Sequence, residues 1–201
     1  MFLWADLLAK NNNELLANLG NFSNRALKFA KSAFKGEVPA YGTAALAADD
    51  EAFYQTLTAK VKQYVEVMEA VKLRDGLRVA MEYSAECNGY FQANKPWELQ
   101  KQQGGKVRCA QVVNTALNAL FMLCVILEPY MPSFSAKVYE QFAIAREAKH
   151  ETLIEAFVAD PSIIRSLVPA GHKIGNPEPI FEEIKPERAE AWKAQFAGKK
   201  Q

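Results

Sequence analysis

The sequence predicts an all-α protein: an antiparallel bundle of about five helices with a C-terminal extension laid over it. Three observations predict it. Apolar residues recur at helical spacing through most of the 201-residue chain. No alternating strand pattern of any length appears. Proline and glycine stand where they start and stop helices.

The first helix is expected from Leu3 to Phe34. Leu8, Leu15, Leu19, Phe22, Ala26, Phe29 and Ala33 form a continuous apolar stripe, as a core-facing helix requires. Asn18, Asn21, Arg25, Lys28, Lys31 and Lys35 form a second, polar face. Asn11 to Asn13 are poor helix formers, so an irregularity is expected there. Gly36 and Pro39 stop the helix, and Glu37 to Ala48 reads as a surface loop.

Asp49, Asp50 and Glu51 open the second helix, placing acidic groups at its positive end. Its stripe is Phe53, Leu57, Val61, Tyr64, Val65 and Met68. After a turn near Val71, the third helix carries Leu73, Leu77, Ala80, Met81, Ser84, Cys87, Asn88 and Phe91 on one side. It ends before Pro96, because proline disfavours helical geometry at the preceding residue. Pro96 then opens a short turn through Glu98 and Leu99 that Gly104 and Gly105 break.

The fourth helix, Lys106 to Glu128, is apolar nearly all round and is expected at the centre. Its apolar run Leu120 to Leu127 is far too short to span a bilayer, which needs about 20 residues. Ser133 or Ser135 is the expected cap of a fifth helix, Phe134 to Phe142, and a shorter segment follows at His150 to Val158. Residues 1–158 are thus read as the bundle. From 159 to 201 the prolines Pro161, Pro169, Pro177 and Pro179 exclude a long regular element. This extension is expected to lie on the bundle through Ile174, Ile180, Phe181 and Ile184. It is expected to end in a helix, Glu187 to Phe196, with Trp192 and Phe196 turned inward and Gly198 past its end. The tail Lys199 to Gln201 reads as a linker.

Composition narrows function without naming it. Half the residues are apolar and the net charge is +1, so a nucleic-acid role has to rest on local clustering. Three cysteines without paired spacing suit a reducing, cytoplasmic compartment better than a disulfide framework. The N-terminus lacks the basic region and cleavage site of a signal peptide. It begins almost inside a helix, which points to a piece of a longer protein.

No catalytic constellation is visible. His150 and His172 lie apart without metal-ligand spacing, and no phosphate-binding glycine loop occurs. His172 is expected as a hydrogen-bonded turn residue. Met68, Met81 and Met122 fall on apolar stripes and read as core.

The candidate site is for binding. Asn21 and Arg25 project together from consecutive turns, and both are multi-donor groups suited to a nucleobase edge. Taken alone, that face reads more readily as a solvated one. Trp97 follows a proline at a helix break, beside Asn94, Lys95, Lys101, Lys106 and Arg108. A tryptophan there serves either as a lid on the bundle or as a stacking platform for an unpaired base.

These residues carry a resemblance. NELLANLGNFSNRALKF, then NKPWELQKQ, then LEPYMPSFSAKVYEQF resemble, in order and spacing, the anticodon-binding domain of methionyl-tRNA synthetase, a class I synthetase. The block AGHKIGNPEPIFEEI resembles the eukaryotic and archaeal cytosolic type.

The resemblance implies recognition of the CAU anticodon of methionine tRNA. It places Asn21, Arg25 and Trp97 on the anticodon, with Lys28, Lys95, Lys101 and Arg108 as candidate phosphate contacts. It implies a parent methionine–tRNA ligase whose catalytic Rossmann domain, with its ATP and magnesium, is absent here. This chain is expected to hold no catalytic residue, cofactor or metal of its own. As a fragment it is expected to be monomeric, cytoplasmic and off the membrane. Two other readings stand beside it: a helical interaction domain without RNA binding, and the equivalent domain of another class I synthetase.

Overall fold

A computed structural model describes residues 3–42, 47–145 and 150–197. Among them the chain is helical, and extended pairing is limited to an isolated bridge between Glu37 and Lys173.

The first helix is one continuous rod in three parts. Helix α1 (Trp4–Ala9) runs into a π-helical stretch, Lys10–Gly20, and then into α2 (Asn21–Ala33). The irregularity expected at the asparagines is therefore real, and longer than expected. Its partner is the C-terminal extension. Asn12 donates from Nδ2 to the Ile184 carbonyl at 2.9 Å and accepts the Ile184 N–H at 2.9 Å. Asn11 donates to the Glu182 carbonyl. Gly20 completes the fit, since a Cβ there would stand 3.1 Å from both the Leu15 carbonyl and the Phe181 ring.

The stripe predicted for this helix is only partly the buried one. Leu19, Phe22 and Ala26 are fully buried, but so are Leu27 and Ala30. Leu8, Leu15, Phe29 and Ala33 are half-buried. The π turns shift the register, so the inward face has rotated by the last two turns. Lys35 and Gly36 then adopt left-handed backbone and end the helix, with the Gly36 N–H returning to the Ala30 carbonyl.

Helices α3 (Ala48–Glu69) and α4 (Leu73–Asn94) form an antiparallel hairpin across the turn at Ala70 to Lys72. The α3 face is as expected, with Phe53, Leu57, Val61 and Tyr64 buried. The face of α4 is so only in part, with Ala80, Ser84, Cys87 and Phe91 buried as expected. Leu73 and Leu77 are exposed, and Val79, Tyr83 and Tyr90 are buried in their place. The tyrosines can be inside because their hydroxyls find acceptors: the Ala119 carbonyl for Tyr83 and the Asp50 carboxylate for Tyr90.

Lys95 turns the chain in left-handed backbone (φ 41°) into the short α5 (Pro96–Leu99). Helix α6 (Lys106–Leu127) is the central element, with residues 111–127 all buried. Its length and apolar character would suffice to cross a membrane, yet 89 % of its most apolar window is buried inside the bundle. It packs against α2, α4 and α5 and against α7 (Pro132–Phe142) and α8 (His150–Ala159). Neither serine caps α7: the helix starts at Pro132, and Ser135 instead donates to the Cys124 carbonyl. Proline at the first helical turn needs no cap donor of its own.

After α8 a short 3₁₀ turn, Pro161–Arg165, is opened by Asp160, whose side chain accepts the Ser162 N–H. The extended segment then crosses the loop after α2. The Val38 and Ile174 N–H groups bond to the His172 and Gly36 carbonyls. His172 is a turn residue with its Nε2 at 2.6 Å from the Phe142 carbonyl. Helix α9 (Pro186–Gln195) closes the chain on α1, where Trp4 lies against the rings of Trp192 and Phe196. Gly198, the tail from Lys199 and residues 43–46 lie outside the described residues, and of the loop expected at the surface Val38, Pro39 and Tyr41 are buried.

Candidate nucleic-acid interface

The end of the bundle where α2 passes α4 and α5 carries the predicted site. Arg25 lies on α2 and Trp97 at the start of α5, and the guanidinium carbon of Arg25 sits 5.2 Å from the indole centroid. That is cation–π geometry. The indole edge meets Phe91 at 6.1 Å, and Phe91 in turn packs edge-on against Phe22 and Phe29. Trp97 is half-buried, so it is at once a lid on the core and a surface ring. Asn21 stands one turn before Arg25, exposed, with its amide nitrogen donating back to the Ala17 carbonyl.

Two residues not predicted for the site complete it. Gln92 accepts from Arg25 Nη2 at 2.7 Å and Asn88 accepts from Nη1 at 3.3 Å. Both lie on α4, four residues apart, facing Arg25 on α2. The sequence reading put Asn88 on the inner stripe of its helix. The matching four-residue spacing of polar amides was the available signal. Beside them lies an open groove of about 540 Å³, bordered by Asn13, Asn18, Arg25, Asn88 and Gln92.

The cations divide. Lys28 and Lys101 are exposed, and Lys95 is half-exposed in a 3.3 Å pair with Glu98. Lys31 donates to the Gly175 carbonyl and helps fasten the extension. Arg108 departs from expectation: it is not an outward cation. Its guanidinium forks onto both oxygens of Asp50, Nη1 on Oδ2 at 2.5 Å and Nη2 on Oδ1 at 2.8 Å, and also donates to Asn94.

Asp50 is fully buried, and Tyr41 and Tyr90 donate to its two oxygens at 2.7 Å each. Burial alone would raise its carboxyl. The hydrogen bonds from Arg108, Tyr41 and Tyr90, with the charge of Arg108, outweigh burial and hold it below the usual carboxylate range. Burial pushes the Tyr41 and Tyr90 hydroxyls up, and Asp50 adds to this. The cluster is structural. Through Asn94 it anchors the left-handed corner that presents Trp97.

Among the described residues no three His, Cys, Asp or Glu side chains gather into a metal-binding group. The buried Cys87, Cys109 and Cys124 are free thiols.

The architecture has known counterparts. A crystal structure of apo methionyl-tRNA synthetase from Mycobacterium tuberculosis superposes with a TM-score of 0.75. It covers 92 % of this chain and 35 % of that one, at 18 % identity, which speaks for the fold alone. The fold is thus the helical bundle seen in that structure. The particular family is clear from sequence: residues 38–201 match the anticodon binding domain of methionyl tRNA ligase, and the chain belongs to that family.

Among relatives, a probable methionine–tRNA ligase of Oryza sativa is 40 % identical over 208 residues. The cytoplasmic methionine–tRNA ligase of Homo sapiens is 35 % identical over 198 residues. Each alignment covers 98 % of this chain, but only 25 % and 21 % of those proteins. The chain therefore spans about a quarter or less of the relatives it matches.

Proposed function

We propose that this chain recognises the CAU anticodon of methionine tRNA. The observation that carries the reading is the Arg25–Trp97 stack at a surface corner of a chain from an anticodon-binding family. An unpaired base gains roughly 1–3 kcal/mol from stacking on an aromatic ring. Trp97 supplies the ring. Arg25 and Asn21 supply polar groups to the base edge, and Lys28, Lys95 and Lys101 supply positive charge for the phosphates. Arg108 has no part in this, since its charge is matched by Asp50.

In this reading the chain is one part of a methionine–tRNA ligase. A catalytic Rossmann domain elsewhere in the parent performs ATP- and magnesium-dependent aminoacylation, and this part supplies anticodon specificity. The cytoplasmic naming of its relatives supports a cytoplasmic location. Residues 1–158 act as the recognition bundle and residues 159–201 as its fastening.

The test is a titration of a labelled CAU stem-loop at fixed salt, because phosphate contacts weaken steeply with salt. The wild type is expected to prefer CAU over loops with a changed first base. Trp97→Ala, Asn21→Ala and Arg25→Ala are each expected to weaken binding, Trp97→Ala by roughly 1–3 kcal/mol with a small change in melting. A wild type indifferent to the first base even at low salt overturns the proposal and favours an interaction domain without RNA binding.

A further inference from the structure

We propose that the first helix is a two-state rod whose phase is set by the C-terminal extension. Fastened, the extension holds residues 10–20 in π-helical register; released, it lets the stretch revert to α-helix and turns α1 against the bundle. The inference does not depend on the RNA reading, and its test is made on the protein alone.

The register changes along the rod. The Lys10 N–H is directed at the Asp6 carbonyl, four residues back, whereas the Asn21 N–H is directed at the Leu16 carbonyl, five back. Five-residue pairing is rare and occurs mostly as single-turn bulges, frequently at functional sites. Here it runs for 11 residues. The local sequence does not ask for it, since Leu15, Leu16, Ala17 and Leu19 are good or fair α-helix formers. A contact from outside the helix has to hold it.

The extension makes that contact at both ends of the stretch. At the first turn, Asn11 donates to the Glu182 carbonyl at 3.0 Å, and Asn12 exchanges two hydrogen bonds with the Ile184 backbone. At the last residue, the Phe181 ring sits against Gly20 and stacks on Phe134 with centroids 5.8 Å apart. A Cβ at position 20 would stand 3.1 Å from that ring and 3.1 Å from the Leu15 carbonyl, five residues back. The same glycine thus admits both the π turn and the extension.

The other register is written in the sequence. In an unbroken α-helix, Leu8, Leu15, Leu19, Phe22, Ala26, Phe29 and Ala33 share one face. That face is interrupted between Leu8 and Leu15, where Asn11 and Asn12 stand, and these are the residues the extension occupies. The fastened structure instead buries Leu27 and Ala30 and leaves Leu15 and Phe29 half-buried. Each register therefore has an apolar face, as a bistable element requires.

The end that turns is α1. Helix α2 is fixed by the fully buried Phe22, Ala26, Leu27 and Ala30. Asn18 is fixed to α4, with Nδ2 on the Met81 carbonyl and Oδ1 accepting from Ser84. Conversion falls on the residues before it. Asn13 is among them and borders the groove beside Arg25, so release of the extension also changes the border of that groove.

The experiment is NMR on the full chain. Scalar couplings across hydrogen bonds identify the carbonyl that each amide meets, and amide exchange at Ile184 reports the fastening. The proteins are the wild type, Phe181→Asp, which alters the extension and leaves the helix sequence untouched, and Gly20→Ala, which acts from the helix side. In the wild type the Leu15, Leu16 and Ala17 amides are expected to couple to carbonyls five residues back. In both variants exchange at Ile184 is expected to rise about tenfold and the couplings to move to carbonyls four back, with the α6 amides still protected. Alanine favours α-helix, so Gly20→Ala decides the matter if Phe181→Asp loses the α6 protection.

Couplings that stay five back after Ile184 is freed overturn the inference. Loss of the couplings with fast exchange at Leu15 and Leu16 also overturns it, since the extension would then hold the helix itself and not its register. Unchanged protection of Ile184 in both variants, or four-back couplings in the wild type, overturn it as well.

Discussion

The Asp50–Arg108 pair gives the sharpest test of how the recognition corner is held. Arg108→Ala removes both forked hydrogen bonds and, among the described residues, the only cation bonded to Asp50, and leaves a fully buried carboxylate with two tyrosine donors. Breaking a buried ion pair on one side costs about 3–5 kcal/mol. In a chain of this length that lowers the melting temperature by on the order of 10 °C.

The sign of the pH dependence follows from the carboxyl. In the wild type Asp50 is held low, so its contribution is complete above the ordinary carboxylate range and is lost as pH falls through its folded value. In Arg108→Ala the desolvation of the buried carboxyl is opposed by the tyrosines alone, and the carboxyl moves up. The cost is then full at neutral pH and relieved on acidification. Urea unfolding followed by helical circular dichroism at about pH 7 and about pH 5 measures both. The wild-type-to-variant difference is expected to be large at the first and smaller at the second. A difference below about 1 kcal/mol at neutral pH, or one that does not shrink in acid, refutes the account of the cluster.

Two further outcomes concern the bundle. Asn12→Ala removes both hydrogen bonds to Ile184, at a cost of about 1–3 kcal/mol. It should appear as faster amide exchange at Ile184, with the α6 amides still protected. Gly76→Ala drives a methyl group into the Tyr130 hydroxyl and the Met68 sulfur, and a loss of about 1–3 kcal/mol is expected in thermal melts.

Helix starts and stops were legible because they depend on local chemistry. Pro96, Pro132 and Pro186 each stand in the first turn of a helix, and Gly36 closes α2 in left-handed backbone. Which face a helix buries was less legible, because that depends on partners. Tyr83 and Tyr90 look amphipathic until the Ala119 carbonyl and Asp50 are known to await them. Asp50 reads as one of three acids complementing a helix dipole, and Arg108 as one of several cations near Trp97. Their pairing, 58 residues apart, has no local signature. Arg25 and Trp97 were singled out because their spacing and flanks fit a base-binding role. Asn88 and Gln92 were missed as site residues because neutral amides on a helix look the same wet or occupied.

Helix α6 has a consequence for the corner it supports. It is enclosed by α2, α4, α5, α7, α8 and the 3₁₀ turn, and keeps no face for water from residue 111 to residue 127. No neighbour can be peeled away without uncovering it. The corner bearing Arg25 and Trp97 is built from three of those neighbours. Its rigidity is therefore borrowed from the whole assembly, and it cannot loosen alone while the centre stays dry.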